Sequence, residues 1–158
     1  MKINAATVSL PHAALPRANW ADRWTTTFCG QAMTASQVAE VLFARPPRWI
    51  RRLMELRNTI VGVFGLKGAG TLTGATGGFP VVSEGPGQIV LGFDDRHLDF
   101  RIVLDVSAVD GGQQASVTTL VDRHNLAGRL YILAVTPFHR LIVRTMLGKL
   151  AAFGSTIT

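Results

Sequence analysis

Three closely spaced runs of alternating apolar residues constrain the fold more than any other feature of this chain. "FPVVSE" (79–84), "QIVLGFD" (88–94) and "HLDFRIVLDV" (97–106) are separated by "GPG" and "DDR", both of which are turn chemistry. Runs this close together read as antiparallel neighbours. Setting Glu84 opposite Gln88 puts Phe79, Val81, Ile89, Leu91 and Phe93 on one face. Continuing through the next turn sets Phe93 opposite Leu98, Leu91 opposite Phe100 and Ile89 opposite Ile102, so a single apolar face crosses all three strands. The reverse face then carries His97, Asp99, Arg101 and Asp105. A fourth strand, 113–123, follows "AVDGG", with Ala115, Val117, Thr119 and Val121 directed inward.

A sheet with one apolar face needs a cover, and the C-terminal run supplies it. "NLAGRLYILAVTPFHRLIVRTMLGKLAAF" (125–153) reads as one long helix with Asn125 as its N-cap. At about 100° per residue, Arg129, Thr136, Arg140 and Arg144 cluster on one side and Tyr131, Val135, Phe138, Ile142 and Met146 on the other. Pro137, near the polar side, bends such a helix around a core. Upstream, residues 1–19 are an extended lead-in, and "WADRWTTTFCG" (20–30) is a strand with Trp20, Trp24 and Phe28 on one parity. A short helix over 34–45 starts at Thr34, with Gln37 completing a capping box. Pro46 and Pro47 end it and open a second helix through about Phe64. The whole is an α+β chain organised as one domain, 1–158.

The segment "GLKGAGTLTGATGG" (65–78) is a glycine-rich loop. A phosphate cradle requires a strand before it and a helix after it, and neither is present. With 158 residues, 47% hydrophobic and 16% charged, the chain can bury a full core. Cys29 is the single cysteine, so an internal disulfide and a cysteine metal cluster are both excluded. No secretory signal and no transmembrane segment are expected, and the reading is a cytoplasmic protein. The net charge of +6 is uneven: residues 1–70 carry nine Lys/Arg against Asp22, Glu40 and Glu55, whereas the remainder balances. Arg45, Arg48, Arg51 and Arg52 make the densest patch, suited to an acidic protein partner. It lacks interleaved exposed aromatics, which argues against nucleic acid.

Within the second helix one residue breaks the pattern. Taking Trp49 as origin, Ile50, Leu53, Leu56, Ile60, Val61, Val63 and Phe64 form a stripe centred near about 50°, flanked by Met54, and Arg57 falls inside it at about 80°. An inward guanidinium needs a carboxylate, carbonyls or a ligand anion. Arg51 and Arg52 face the opposite side. His139 and Tyr131 lie on the apolar side of the long helix, where polar groups project into a core or a cavity. Arg57, Tyr131, His139, Thr119 and Phe138 are therefore the ligand-binding candidates. Glu84, Asp95, His97 and Arg101 form a second tier on the sheet's turns and reverse face. No metal site is expected, because no close His/Asp ligand spacing recurs. No cofactor motif is present, and no serine sits in a nucleophile elbow.

The order of elements resembles the helix-grip fold of the START-like, Bet v 1-like superfamily: a curved antiparallel sheet, two short helices, and a long C-terminal helix across the concave face. "PPRWIRRLMELRNTIVGVFGLK", "DDRHLDFRIVL" and "HNLAGRLYILAVTPFHRLIVR" together resemble an uncharacterised bacterial family of domains of unknown function over roughly residues 45–150. Members of that family occur alone or C-terminal to an NAD(P)-binding, epimerase-like domain. Tyr131-Ile132 replaces the Tyr-Trp pair of fused members and suggests the stand-alone branch. The expected function is binding of a small hydrophobic or amphipathic, acidic ligand between sheet and helix. The alternatives are a cyclase- or hydrolase-like enzyme with His139 as acid or base, and an interaction domain using the basic patch.

Overall fold

A computed structural model describes residues 2–63 and 79–155. Six strands form one antiparallel sheet: β1 (Asn4–Ala6), β2 (Trp20–Phe28), β3 (Val81–Glu84), β4 (Gln88–Asp94), β5 (Leu98–Val109) and β6 (Gly112–Arg123), in the spatial order β1-β2-β6-β5-β4-β3. Among the described residues, three helices accompany it: α1 (Ala35–Phe43), α2 (Arg48–Val63) and α3 (Leu126–Ser155). The glycine-rich stretch 65–78 lies outside the described residues.

Local signals set the helix starts. The Thr34 hydroxyl accepts from the Gln37 amide and the Gln37 side chain accepts from the Thr34 amide, so both arms of the capping box are made. At α3 the Gly128 N–H donates to Asn125 Oδ1 at 3.0 Å. Gly128 itself is required there, because a Cβ would lie 2.4 Å from the His97 carbonyl oxygen. That close approach seats the first turn of α3 on the β4–β5 loop.

Between β4 and β5 the pairing differs from expectation in register but not in face. Phe93 pairs with Phe100, Leu91 with Ile102 and Ile89 with Leu104, a slide of two residues relative to the tight-turn register. Asp95 N–H donates to the Leu98 carbonyl at 2.9 Å, so the turn is the same length but centred one residue further along than "DDR" implied. An even slide keeps every side chain on its own face. In the β3–β4 hairpin Glu84 pairs with Ile89, not Gln88, and an irregularity between Val81 and Ser83 restores the expected Val81–Leu91 pair.

The concave face is covered unevenly. Phe28, Leu91, Leu104, Ala115 and Val117 form the main core with Val38, Ala39 and Leu42 of α1 and Val143, Leu147 and Leu150 of α3. All three of those α3 residues belong to its C-terminal half. The convex face is not simply solvated: Leu15 and Ala18 of the lead-in cover Val90, Val103 and Leu120.

Candidate functional site

Where the N-terminal half of α3 stands over the sheet, a partly open cavity of about 170 Å³ remains. That is far more than one water needs, and similar to apolar cavities that accept a small organic molecule. Its walls come from the sheet (Phe93, Leu98, Phe100, Ile102, Val121), from α2 (Ile50, Met54, Arg57) and from α3 (Tyr131, Ile132, Val135, His139, Ile142, Met146). Phe79 stacks on Phe93, with ring centroids 6.4 Å apart and planes 3° apart, and lies 5.7 Å from Phe100. These rings line the floor near the sheet edge.

The wall contribution of α2 shows how the helix is rotated. Ile50, Met54 and Arg57 point inward, whereas Trp49 and Leu56 are 38% and 57% exposed. The inward face is thus turned away from the centre of the apolar stripe, toward Arg57. The guanidinium Nε donates to Tyr131 Oη at 2.5 Å, and Nη1 donates to Asn58 Oδ1 at 3.1 Å. The guanidinium carbon also lies 5.7 Å from the Tyr131 ring centroid, within cation–π range. Arg45, Arg48, Arg51 and Arg52 are all exposed.

A second polar group sits further along α3. His139 lines the cavity and its Nε2 lies 3.0 Å from Asp22 Oδ1. A carboxylate only accepts, so Nε2 carries the hydrogen, and in the neutral ring Nδ1 keeps its lone pair. Asp22 Oδ2 also accepts from Trp24 Nε1 at 3.1 Å, and Arg140 Nε lies 3.9 Å away. The Asp22 side chain is 11% exposed. Trp20 meets the His139 ring edge-on at 5.9 Å. Directly across the ladder from Asp22 is Thr119, which lines the cavity with 2% exposure. Its hydroxyl is buried without a hydrogen-bond partner among the described residues. Tyr131 and His139 are eight residues apart, so the two polar ends are separated by about 12 Å along the helix.

Arg57, Tyr131, Thr119 and His139 are therefore brought to one cavity. Phe138 is not among its lining residues: it is 51% exposed and corrects the expectation. Phe138 sits at the edge of the inward face, which carries Tyr131, Val135, His139 and Ile142. Asp22 was not anticipated. Thr136, placed on the polar side by sequence, lines the cavity with its hydroxyl returned to the Ile132 carbonyl.

The second tier lies elsewhere. Glu84 is exposed and accepts from the Ser36 hydroxyl. Asp95 Oδ1 accepts from the Arg96 amide. Arg101 Nη1 donates to Asp94 Oδ1 at 2.7 Å and to the Phe93 and Phe100 carbonyls. His97 Nδ1 faces the Asn125 side-chain amide, 3.0 Å from Nδ2. On the convex face Asp99 pairs across the ladder with Asp122. His124 Nε2 lies 3.2 Å from Asp99 Oδ2 and 3.6 Å from Asp122 Oδ2. The three groups each offer one ligand atom within 4.8 Å of the others. Asp122 and His124 are two residues apart at the end of β6, and β5 brings Asp99 to them. The His124 pKa is raised, first by Nδ1–H donation to the Arg96 carbonyl and then by the two carboxylates, against the opposing effect of burial.

Among known families, the sequence profile of the one described as "Protein of unknown function (DUF2867)" matches residues 14–146. No curated protein and no solved structure matches. The family match spans most of the chain, and the protein belongs to that family.

Proposed function

We propose that this is a helix-grip domain of the START-like kind that binds a small amphipathic carboxylate between the sheet and α3. The observation that carries the reading is the guanidinium of Arg57, held against Tyr131 in the wall of an otherwise apolar cavity. Such pockets, apolar with a few convergent polar groups, are what small-molecule sites look like. Arg57 supplies the planar, bidentate geometry a carboxylate requires. Thr119, across the ladder from Asp22, adds a further polar side chain to the cavity wall.

The test is titration with decanoate and, in parallel, decanol, read by the fluorescence of Trp20 in the cavity wall. The wild type binds the acid more tightly than the alcohol. Arg57→Met lowers acid affinity by about 10–100-fold, the value of one charge-assisted hydrogen bond, and leaves the alcohol unchanged. No binding of either molecule overturns the reading.

The Asp22–His139 contact favours a second reading, in which the domain is a hydrolase-like enzyme. A histidine whose Nε2–H is fixed by a carboxylate presents Nδ1 as a base, able to take a proton from water attacking an ester carbonyl. In that case a panel of hydrophobic esters is turned over by the wild type and not by His139→Ala, with decanoate binding kept by both. Absence of turnover in the wild type removes this reading and leaves the first intact.

A further inference from the structure

Helix α3 is apolar on both sides. Its inner side forms the core and the cavity wall. Its outer side carries Leu126, Leu130, Leu133 and Leu141, which are 70%, 56%, 74% and 51% exposed, with Pro137 between them also exposed. The spacing i, i+4, i+7, i+11, i+15 aligns all five on one stripe, about 22 Å long. A helix that is hydrophobic all round is normally buried, and a contiguous exposed apolar patch marks an interaction surface. By length and composition the helix could also cross a membrane, and only 17% of its most apolar window is buried inside the protein.

The charges say what covers the stripe. Arg129 and Arg140 flank one edge, Arg144 lies in line with the leucines with its guanidinium carbon 5.6 Å from the Trp24 ring centroid, and the thirty residues of α3 contain no Asp or Glu. An isologous pairing of two copies would bring both sets of arginines, and no carboxylate from α3, into one interface. A surface of anionic headgroups over an acyl interior satisfies leucines and arginines together. A spanning orientation is excluded by the inner side, because it would strip away Arg57–Tyr131, His139–Asp22 and the buried Val143, Leu147 and Leu150.

We propose that α3 docks this stripe on an anionic membrane, lying in the interface plane with its inner side still on the sheet. This does not rest on the cavity having a ligand. The experiment is co-sedimentation of the full chain with vesicles of phosphatidylcholine containing about one third phosphatidylglycerol, compared with pure phosphatidylcholine. The expected result is binding to the anionic vesicles only, weakened at high salt. Leu130→Glu with Leu133→Glu lowers it more than tenfold, and Arg129→Gln lowers it about fivefold. These positions are exposed, so thermal unfolding of each variant is expected to match the wild type. Two results overturn the proposal: equal or absent binding to both vesicle types, or a concentration-dependent dimer in sedimentation velocity that Leu133→Glu dissociates, which would make the stripe an interface between copies.

Discussion

Replacing Asp22 with alanine removes one acceptor from two donors at once. Trp24 Nε1 and His139 Nε2 lie 3.1 and 3.0 Å from its oxygens, and the carboxylate is 11% exposed. Leaving a buried donor unsatisfied costs about 1–3 kcal/mol. Water in the neighbouring cavity can reach the His139 side, so the lower part of the summed range applies, about 2–4 kcal/mol. For a domain of this size that lowers the midpoint of thermal unfolding by roughly 5–15 °C. Asp22→Asn keeps one oxygen acceptor, so only one donor loses its partner and the cost is about half. The decisive measurement is a double-mutant cycle of Asp22→Ala and His139→Ala by urea denaturation, with coincident transitions from two probes to establish two-state behaviour. A coupling of about 1–2 kcal/mol is expected for two groups in direct contact. Additivity within about 0.5 kcal/mol would refute the reasoning, and with it the hydrolase-like reading of His139.

Three other perturbations are informative. His124 has a folded pKa raised above the ordinary histidine value of 6.5, so its stabilising contribution is complete below that value and disappears as pH rises through the folded pKa. His124→Gln should therefore cost stability at pH 5.5 and almost none at pH 8.5, by under about 1 kcal/mol because solvent screens the pair; an equal cost at both values would contradict the assignment. Lys149 donates to the Leu42, Ala44 and Arg45 carbonyls at 3.3, 2.7 and 3.3 Å, closing the end of α1 where Arg45 takes a left-handed φ of 47°. Lys149→Met keeps the apolar stem and should lose about 2 kcal/mol in chemical denaturation; an unchanged midpoint would show that the carbonyls find water instead. Gly92 leaves no room for a side chain, since a Cβ would sit 2.1 Å from the Phe100 carbonyl oxygen. Gly92→Ala should lower the unfolding midpoint severely or give insoluble protein, whereas wild-type stability would mean that β4 is displaced.

How far the sequence disclosed this arrangement depends on the range of the physics involved. Strand faces and the capping box at Thr34 are local, and both were legible. Register depends on loop geometry, which an alternating pattern does not encode beyond parity; the two-residue slide between β4 and β5 therefore left every face unchanged and every pair wrong. Helix rotation depends on what the helix faces. An average over apolar residues of α2 put Trp49 and Leu56 inward, but the structure turns the helix toward Arg57, because its inner side meets a cavity and not a filled core.

The cavity's polar groups obey a single rule, which sequence reading applied to Arg57, Tyr131, His139 and Thr119 but not to Asp22. Arg57 stood out as a charged residue on an apolar stripe. The same reasoning applies to β2, where Trp20, Asp22, Trp24, Thr26 and Phe28 share one parity and Asp22 is the charged intruder. It applies to β6 as well, where Thr119 interrupts Ala115, Val117 and Val121. Both intruders cost free energy on a packed face unless something there accepts or donates to them. The fold places them opposite each other across the β2–β6 ladder, one satisfied by His139 and one left with its hydroxyl buried and without a partner among the described residues. The convex-face cluster escapes that rule, because Asp99, Asp122 and His124 have the opposite parity to the cavity-facing residues, although Asp122 is itself buried. A polar residue at an inward position is thus the signal that marks this site, and it is readable wherever the face can be assigned before the pairing is known.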